Sequence, residues 1–148
     1  EALSFVHFNS RDNARTPMQW NTSEHAGFTT GTPWLPANEN YREINAAAEE
    51  KDADSVLSYY KQLIRLRKTK PVLLDGVYEE LLADNEQIYA FSRTAGNRRI
   101  VTAVNFSTEE AQLPAGFLKG VRLIGSYADA PSTVLRPLEA VVYEEEVK

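Results

Sequence analysis

From Asn9 to about Asn45 the chain shows neither helical nor strand periodicity; it is dense in Asn, Thr, Gly and Pro and carries both tryptophans, Trp20 and Trp34. A structureless stretch of that length is uncommon inside a compact domain, and where it occurs it is functional or disordered. Its aromatic content argues for order, because disordered segments are poor in large apolar side chains. It reads as an ordered loop packed on a scaffold that lies mostly elsewhere. Just ahead of it, Leu3, Phe5, Val6 and Phe8 form a short apolar segment that reads as the end of a helix. The chain opens at Glu1 without Met and without the basic-then-apolar pattern of a signal peptide, so it reads as the interior of a longer protein.

Beyond this loop the periodicity becomes clear. Val56, Leu57, Tyr59, Tyr60, Leu63, Ile64 and Leu66 form an apolar band at helical spacing, which predicts a core-facing helix over residues 53–69. Asp52 and Asp54 sit where they would cap its first N–H groups; Arg65, Arg67, Lys68 and Lys70 gather at its other end, and Pro71 stops it. Arg67 projects toward the apolar band, to pair with a buried group or to snorkel. Residues 76–143 read as strands: 77–82, then 87–94 and 99–106 as a hairpin around Ala95-Gly96-Asn97, then 121–127 and 140–143, with shorter strands near Ala111 and Val134. Short strands at regular spacing with Gly and Pro turns predict an antiparallel sandwich.

An apolar fraction of 43% over 148 residues is enough for a packed domain. A net charge of −5 argues against a nucleic-acid surface, which needs clustered Lys and Arg, and against an anionic membrane surface. The absence of cysteine removes disulfides and thiolate metal sites; it fits a reducing cytoplasm, and equally the many secreted bacterial proteins that lack cysteine. No apolar run approaches the roughly 18 residues of a membrane span.

Few residues have the patterns that carry chemistry. His7 and His25 are too few and too far apart for a metal cluster and read as loop residues. Glu79-Glu80 and Glu109-Glu110 lie on or beside strands, where neighbours point to opposite faces, so neither makes an acid/base pair. Glu144-Glu145-Glu146 reads as a solvated tail. The segment Ser10-Arg11-Asp12-Asn13-Ala14-Arg15-Thr16-Pro17-Met18-Gln19-Trp20 stands apart. It gathers two guanidiniums, a carboxylate, amides and an indole. Guanidiniums hold hydroxyl pairs in fixed geometry, and an indole offers a flat face to a sugar ring. That makes it a candidate sugar site, with a plain hydrogen-bonded loop as the alternative.

The same segment resembles, from Arg11 to Trp20, a signature of the oligo-1,6-glucosidase group of the α-amylase superfamily. Ala26-Gly27-Phe28-Thr29-Thr30-Gly31-Thr32-Pro33-Trp34 is similar to that group as well. So is Asn38-Glu39-Asn40-Tyr41-Arg42-Glu43-Ile44-Asn45, with Glu39 where Pro is usual. Tyr59 to Lys68 resembles the last barrel helix; Val104 to Ser107 and Leu135 to Tyr143 resemble the C-terminal β-domain, with Leu138 where Tyr is usual.

The resemblance implies an α+β, mainly β chain: residues 1–70 from the end of a (β/α)₈ barrel, and residues 71–148 a C-terminal antiparallel β-sandwich. The implied function is that of a retaining α-glucosidase removing terminal glucose from short α-glucosides, without cofactor or metal. Its nucleophilic aspartate, acid/base glutamate and stabilising aspartate would lie upstream of Glu1, leaving no catalytic residue in this chain and the chain alone inactive. Arg15 is the residue the resemblance assigns to the terminal glucose, with Arg11 and Asp12 as weaker candidates that fix the loop; Trp20 and Trp34 are read as packing aromatics, and Gln19 receives no role. The implied partners are short α-glucosides and the upstream barrel, without nucleic acid or membrane, in the cytoplasm. Two rival readings are a carbohydrate-binding module stacking sugars on Tyr78, Tyr89 or Tyr127, and a purely structural β-domain.

Overall fold

A computed structural model describes Asp12, residues 14–129 and residues 133–147. The apolar segment ahead of Asn9, His7 and Arg11 lie outside the described residues. The chain divides into two compact units, Glu1–Gln62 and Leu63–Lys148.

The first unit is loop-rich. Its regular pieces are two 3₁₀ turns, Glu24–Gly27 and Glu39–Arg42, a one-turn helix α1 (Ala46–Glu49), and the start of helix α2 (Val56–Thr69). Asn45 caps α1: its side chain accepts from the Ala48 N–H at 3.0 Å and donates to the Tyr41 carbonyl at 2.9 Å. Helix α2 falls where the periodicity predicts, but its N-terminus is satisfied by other groups. The Ser55 hydroxyl accepts from the Ser58 N–H at 3.1 Å and the Glu49 carboxylate from the Leu57 N–H at 2.9 Å, while Asp52 closes its own turn onto Asp54 N–H. The apolar band departs from expectation too. No residue of α2 is buried, and Val56, Tyr60 and Ile64 are 78%, 62% and 42% exposed. Leu57, Tyr59, Leu63 and Leu66 of the same band are half-buried, so the described residues cover one edge of the apolar face and leave the other open.

The second unit is an antiparallel β structure. After Pro71 a short helix α3 (Val72–Asp75) leads into β1 (Val77–Leu81), β2 (Ile88–Ala95), β3 (Arg98–Asn105), β4 (Ala111–Gln112), β5 (Val121–Gly125), β6 (Val134–Leu135) and β7 (Ala140–Glu146). Five strands form one sheet in the order β1-β2-β3-β7-β5, and β4 pairs with β6 in a second. The β2–β3 hairpin forms where expected, with a turn tighter than the three residues Ala95-Gly96-Asn97: Ala95 pairs with Arg98, leaving two residues, and Gly96 takes φ +57°, a positive value that favours glycine at the first turn position.

Alternation decides which face is packed. Ile88, Ala90 and Ser92 are buried, while Tyr89 between them is exposed. Ile88, Ala90, Ala103, Val141 and Tyr143 of the large sheet pack with Ala111 and Leu135 of the small sheet and with Leu113. Leu113 and Leu135 are almost fully buried, each contributing about 1.5–3 kcal/mol.

The acidic run departs from its expected role as a tail. Glu144, Glu145 and Glu146 are strand residues of β7, paired to Lys70 at 2.6 Å, Arg99 at 3.5 Å and Arg98 at 3.1 Å. The side chains of Glu144 and Glu145 are each only 14% exposed. Arg98 and Arg99 across the sheet and Lys70 ahead of α3 neutralise a run that sequence alone reads as a solvated tail.

Candidate functional site

The candidate segment is built as a chain of turns. The Arg15 N–H donates to the Asp12 carbonyl at 3.0 Å, closing a tight turn that brings the backbones of Asp12 and Arg15 together. Asp12 is half-buried and Arg15 exposed. Pro17 is buried, and its ring fixes φ near about −65°, so the link from Arg15 onward is stiff.

Gln19 acquires a role that its sequence position concealed. Its Nε2 donates to the Ile44 carbonyl at 2.6 Å and to Asn40 Oδ1 at 3.0 Å. The Ala46 N–H donates to the Gln19 carbonyl at 2.9 Å and the Ala47 N–H to that of Trp20 at 3.0 Å. Gln19 therefore clasps the Arg15 segment to residues 40–47. A second clasp comes from the Ala26 carbonyl, which accepts from the N–H groups of Trp20 and Asn21 at 2.9 and 3.2 Å. It is held by a left-handed turn at His25, Ala26 and Gly27, with φ of 52°, 58° and 69°. Such a conformation costs roughly 1–2 kcal/mol per non-glycine residue and persists only where the surroundings determine it. A Cβ at Gly27 would lie 2.6 Å from the Asn21 side-chain amide, which would have to swing aside, and the φ of +69° would strain any other residue. His25, read as a loop residue, belongs to this turn, and its nearest charged partner is Glu24 at 3.8 Å.

Below the segment lies an open cavity of about 440 Å³, lined by Met18, Trp20, Ile44, Leu57, Glu50 and Lys61 among others. The two carboxylates on its wall are already engaged: Glu49 accepts from the Leu57 N–H, and Glu50 pairs with Lys61 at 3.0 Å. Glycoside hydrolysis needs two carboxyl groups free to take and give protons across the scissile bond, and this wall offers none. Among the described residues no three His, Asp or Glu side chains come together to hold a metal ion. Trp20 is 51% and Trp34 73% exposed within this chain. Both rings present apolar faces at the surface of this unit.

In the second unit, two of the three tyrosines proposed as a stacking surface come together. Tyr78 and Tyr89 are 46% and 41% exposed, their hydroxyls lie 3.1 Å apart, and both rings lean on Phe91 with centroids at 5.6 and 5.7 Å. The hydrogen bond to Tyr89 is the main reason the Tyr78 phenol is pushed up to about 12. Tyr127 is elsewhere, its hydroxyl donating to the Pro137 carbonyl at 3.1 Å and its ring covered by the Arg136 guanidinium at 3.9 Å.

The pattern of the α-amylase catalytic domain matches residues 1–76. The oligo-1,6-glucosidase of Parageobacillus thermoglucosidasius is 43% identical over 97% of the chain and 27% of its own length. Two solved structures align closely. Trehalose-6-phosphate hydrolase of Bacillus licheniformis has a TM-score of 0.83 at 38% identity, over 94% of this chain and 27% of its own. Isomaltulose synthase of Klebsiella sp. LX3 has 0.82 at 44% identity, over 90% of this chain and 25% of its own. The chain thus spans about a quarter of the length of the relatives it matches.

Proposed function

Because the chain belongs to the α-amylase family, whose catalytic-domain pattern covers its first 76 residues, we propose that it is the C-terminal portion of a retaining α-glucosidase of oligo-1,6-glucosidase type. That enzyme removes terminal glucose from short α-glucosides in the cytoplasm. Residues 1–70 complete its barrel, and residues 71–148 form its C-terminal β-sandwich. The two sheets sharing one core support the sandwich reading. The cysteine-free composition fits the compartment.

The observation that carries the proposal is the exposed Arg15, held on a closed turn and a stiff proline link. A planar guanidinium so placed forks onto two adjacent hydroxyls of the terminal glucose. The Asp12 carbonyl, which accepts from the Arg15 N–H, closes the turn that presents it. The nucleophile, the acid/base and the stabilising carboxylate are assigned to the barrel upstream of Glu1, consistent with the engaged state of Glu49 and Glu50. Solved relatives named for trehalose-6-phosphate hydrolase and isomaltulose synthase share this architecture, so the fold of this region does not by itself distinguish those activities.

The test is hydrolysis of a nitrophenyl α-glucoside. The full-length protein containing this chain should turn it over, and the purified 148-residue chain should not. Turnover by the chain alone would refute the assignment of the carboxylates. The Tyr78–Tyr89 pair favours a second role for the β-domain, contact with a sugar ring. Maltose or isomaltose binding by the isolated chain, lost in Tyr89→Ala, would support that role; no binding leaves the β-domain structural.

A further inference from the structure

We infer that Gln19 is a positioning residue for Arg15: its side-chain amide locks the Arg15 segment to residues 40–44, so that the guanidinium meets the sugar in one orientation. The inference rests on the reading of Arg15 as the sugar-contacting residue. Both N–H groups of a primary amide are accounted for by the bonds to the Ile44 carbonyl at 2.6 Å and Asn40 Oδ1 at 3.0 Å. These partners lie 25 and 21 residues away, so the bonds close a long loop rather than a local turn. Only Thr16, Pro17 and Met18 separate Arg15 from Gln19, and the middle one is a buried proline. A shift at Gln19 therefore passes to Arg15 with little slack.

The backbone bonds from Ala46 and Ala47 hold Gln19 and Trp20 to the start of α1, and they survive replacement of the side chain. What the amide adds is the hold on the turn at residues 40–44, where Asn38 and Asn40 bond to each other and the Glu43 N–H donates to the Asn40 carbonyl at 2.9 Å. Losing it loosens the segment without opening the fold. A misplacement of the order of 1 Å at a sugar contact costs on the order of a hundredfold in rate.

The test is a double-mutant cycle in the full-length protein, with kcat and KM measured on a nitrophenyl α-glucoside. Gln19→Met removes both donors at similar volume and should lower kcat/KM by roughly 10–100-fold. Arg15→Lys should lower it as well. If Gln19 acts through Arg15, the double variant Q19M/R15K loses no more than R15K alone, because a misplaced group that has already been removed cannot be lost twice. Multiplicative losses, or a Q19M variant as active as the parent, would overturn the inference while leaving the functional reading intact. An R15K variant with unchanged kinetics would overturn both. Should Q19M not fold, Q19E, which sets an oxygen against the same two acceptors, goes through the same cycle with the same outcomes.

Discussion

Asn105 is completely buried, and its side chain bonds in two directions. Its amide nitrogen donates to the carbonyls of Glu109, Arg136 and Leu135 at 2.7, 3.0 and 3.3 Å, and its oxygen accepts from Ser107 N–H and hydroxyl at 2.9 and 2.8 Å. One side chain thus holds the exit of β3 to the segment after β6. Asn105→Ala should cost on the order of 3 kcal/mol, since each buried group stripped of its partner costs about 1–3 kcal/mol; the urea midpoint would measure it, and a change below half a unit of kcal/mol would mean that water replaces the amide. Glu139, also fully buried, meets the Arg136 guanidinium at 2.8 and 3.0 Å and its N–H at 2.8 Å. Burial pushes its carboxyl up, but the bonds from Arg136 outweigh burial and hold it, on balance, below the usual carboxylate range. The Arg136 side chain also holds the exposed Asp129 below that range, first through their hydrogen bond. A depressed folded-state value means stabilisation that is complete above the unfolded value and lost as pH falls through the folded one. Unfolding midpoints should therefore drop below about pH 4, and Glu139→Gln should flatten that dependence while lowering stability at neutral pH. An unchanged acid profile in E139Q would assign the acid sensitivity to other carboxylates. Neither residue stood out in the sequence, where they read as parts of weak β-domain motifs, because what gives each its weight is complete burial, which only the fold supplies. Gln19 was hidden in the same way by partners more than twenty residues distant. Arg15 is nominated by the sequence because its motif is long and contiguous.

At the scale of elements, all seven strands fall where the sequence places them, down to the two-residue pairs at Ala111 and Val134; β2 and β7 show the alternation of a face meeting a core, whereas β1 and β5 bury no residue. Helix α2 was legible in its extent and stop signal, and opaque in its environment. A band at helical spacing states that a face is apolar and nothing about what covers it. The acidic end of β7 was opaque for a related reason: its character depends on Arg98, Arg99 and Lys70, which only the sheet register and the turn before α3 bring alongside. The exposed band of α2 has a measurable consequence. An uncovered apolar stripe drives association in water. In the isolated chain, Val56→Glu with Tyr60→Lys removes two exposed apolar side chains and creates an acid–base pair one turn apart in the favourable order. That should raise stability by about 0.3–0.5 kcal/mol and lower the sedimentation-detected self-association. A loss of about 2 kcal/mol instead would show that this face packs within the chain.

For the whole molecule, the two units differ in what holds them. The second has its own apolar core of Ile88, Ala90, Ala103, Leu113, Leu135, Val141 and Tyr143. Among the described residues of the first, the buried ones are Pro17, Ala26, Asn45 and Ser55, small or polar, joined by turns and caps. Hydrogen bonds exchanged against water contribute about 0.5–1.5 kcal/mol each and do not replace a missing core. Amide hydrogen exchange on the isolated chain should therefore be slowest in β2, β3 and β7, near the global opening limit. It should be roughly a hundredfold faster or more at Trp20, Asn21, Ala46 and Ala47, whose bonds make the clasps of the candidate site. The functional proposal adds a second half to the measurement. If residues 1–70 complete a barrel, the apolar faces of Trp20, Trp34 and α2 meet their cover in the full-length protein, and the clasp amides should slow there by the same factor while β3 and β7 change little. Equal protection of the clasp in the chain and in the full-length protein would mean that the segment presenting Arg15 needs no scaffold, and the barrel reading of the first unit would fail with it.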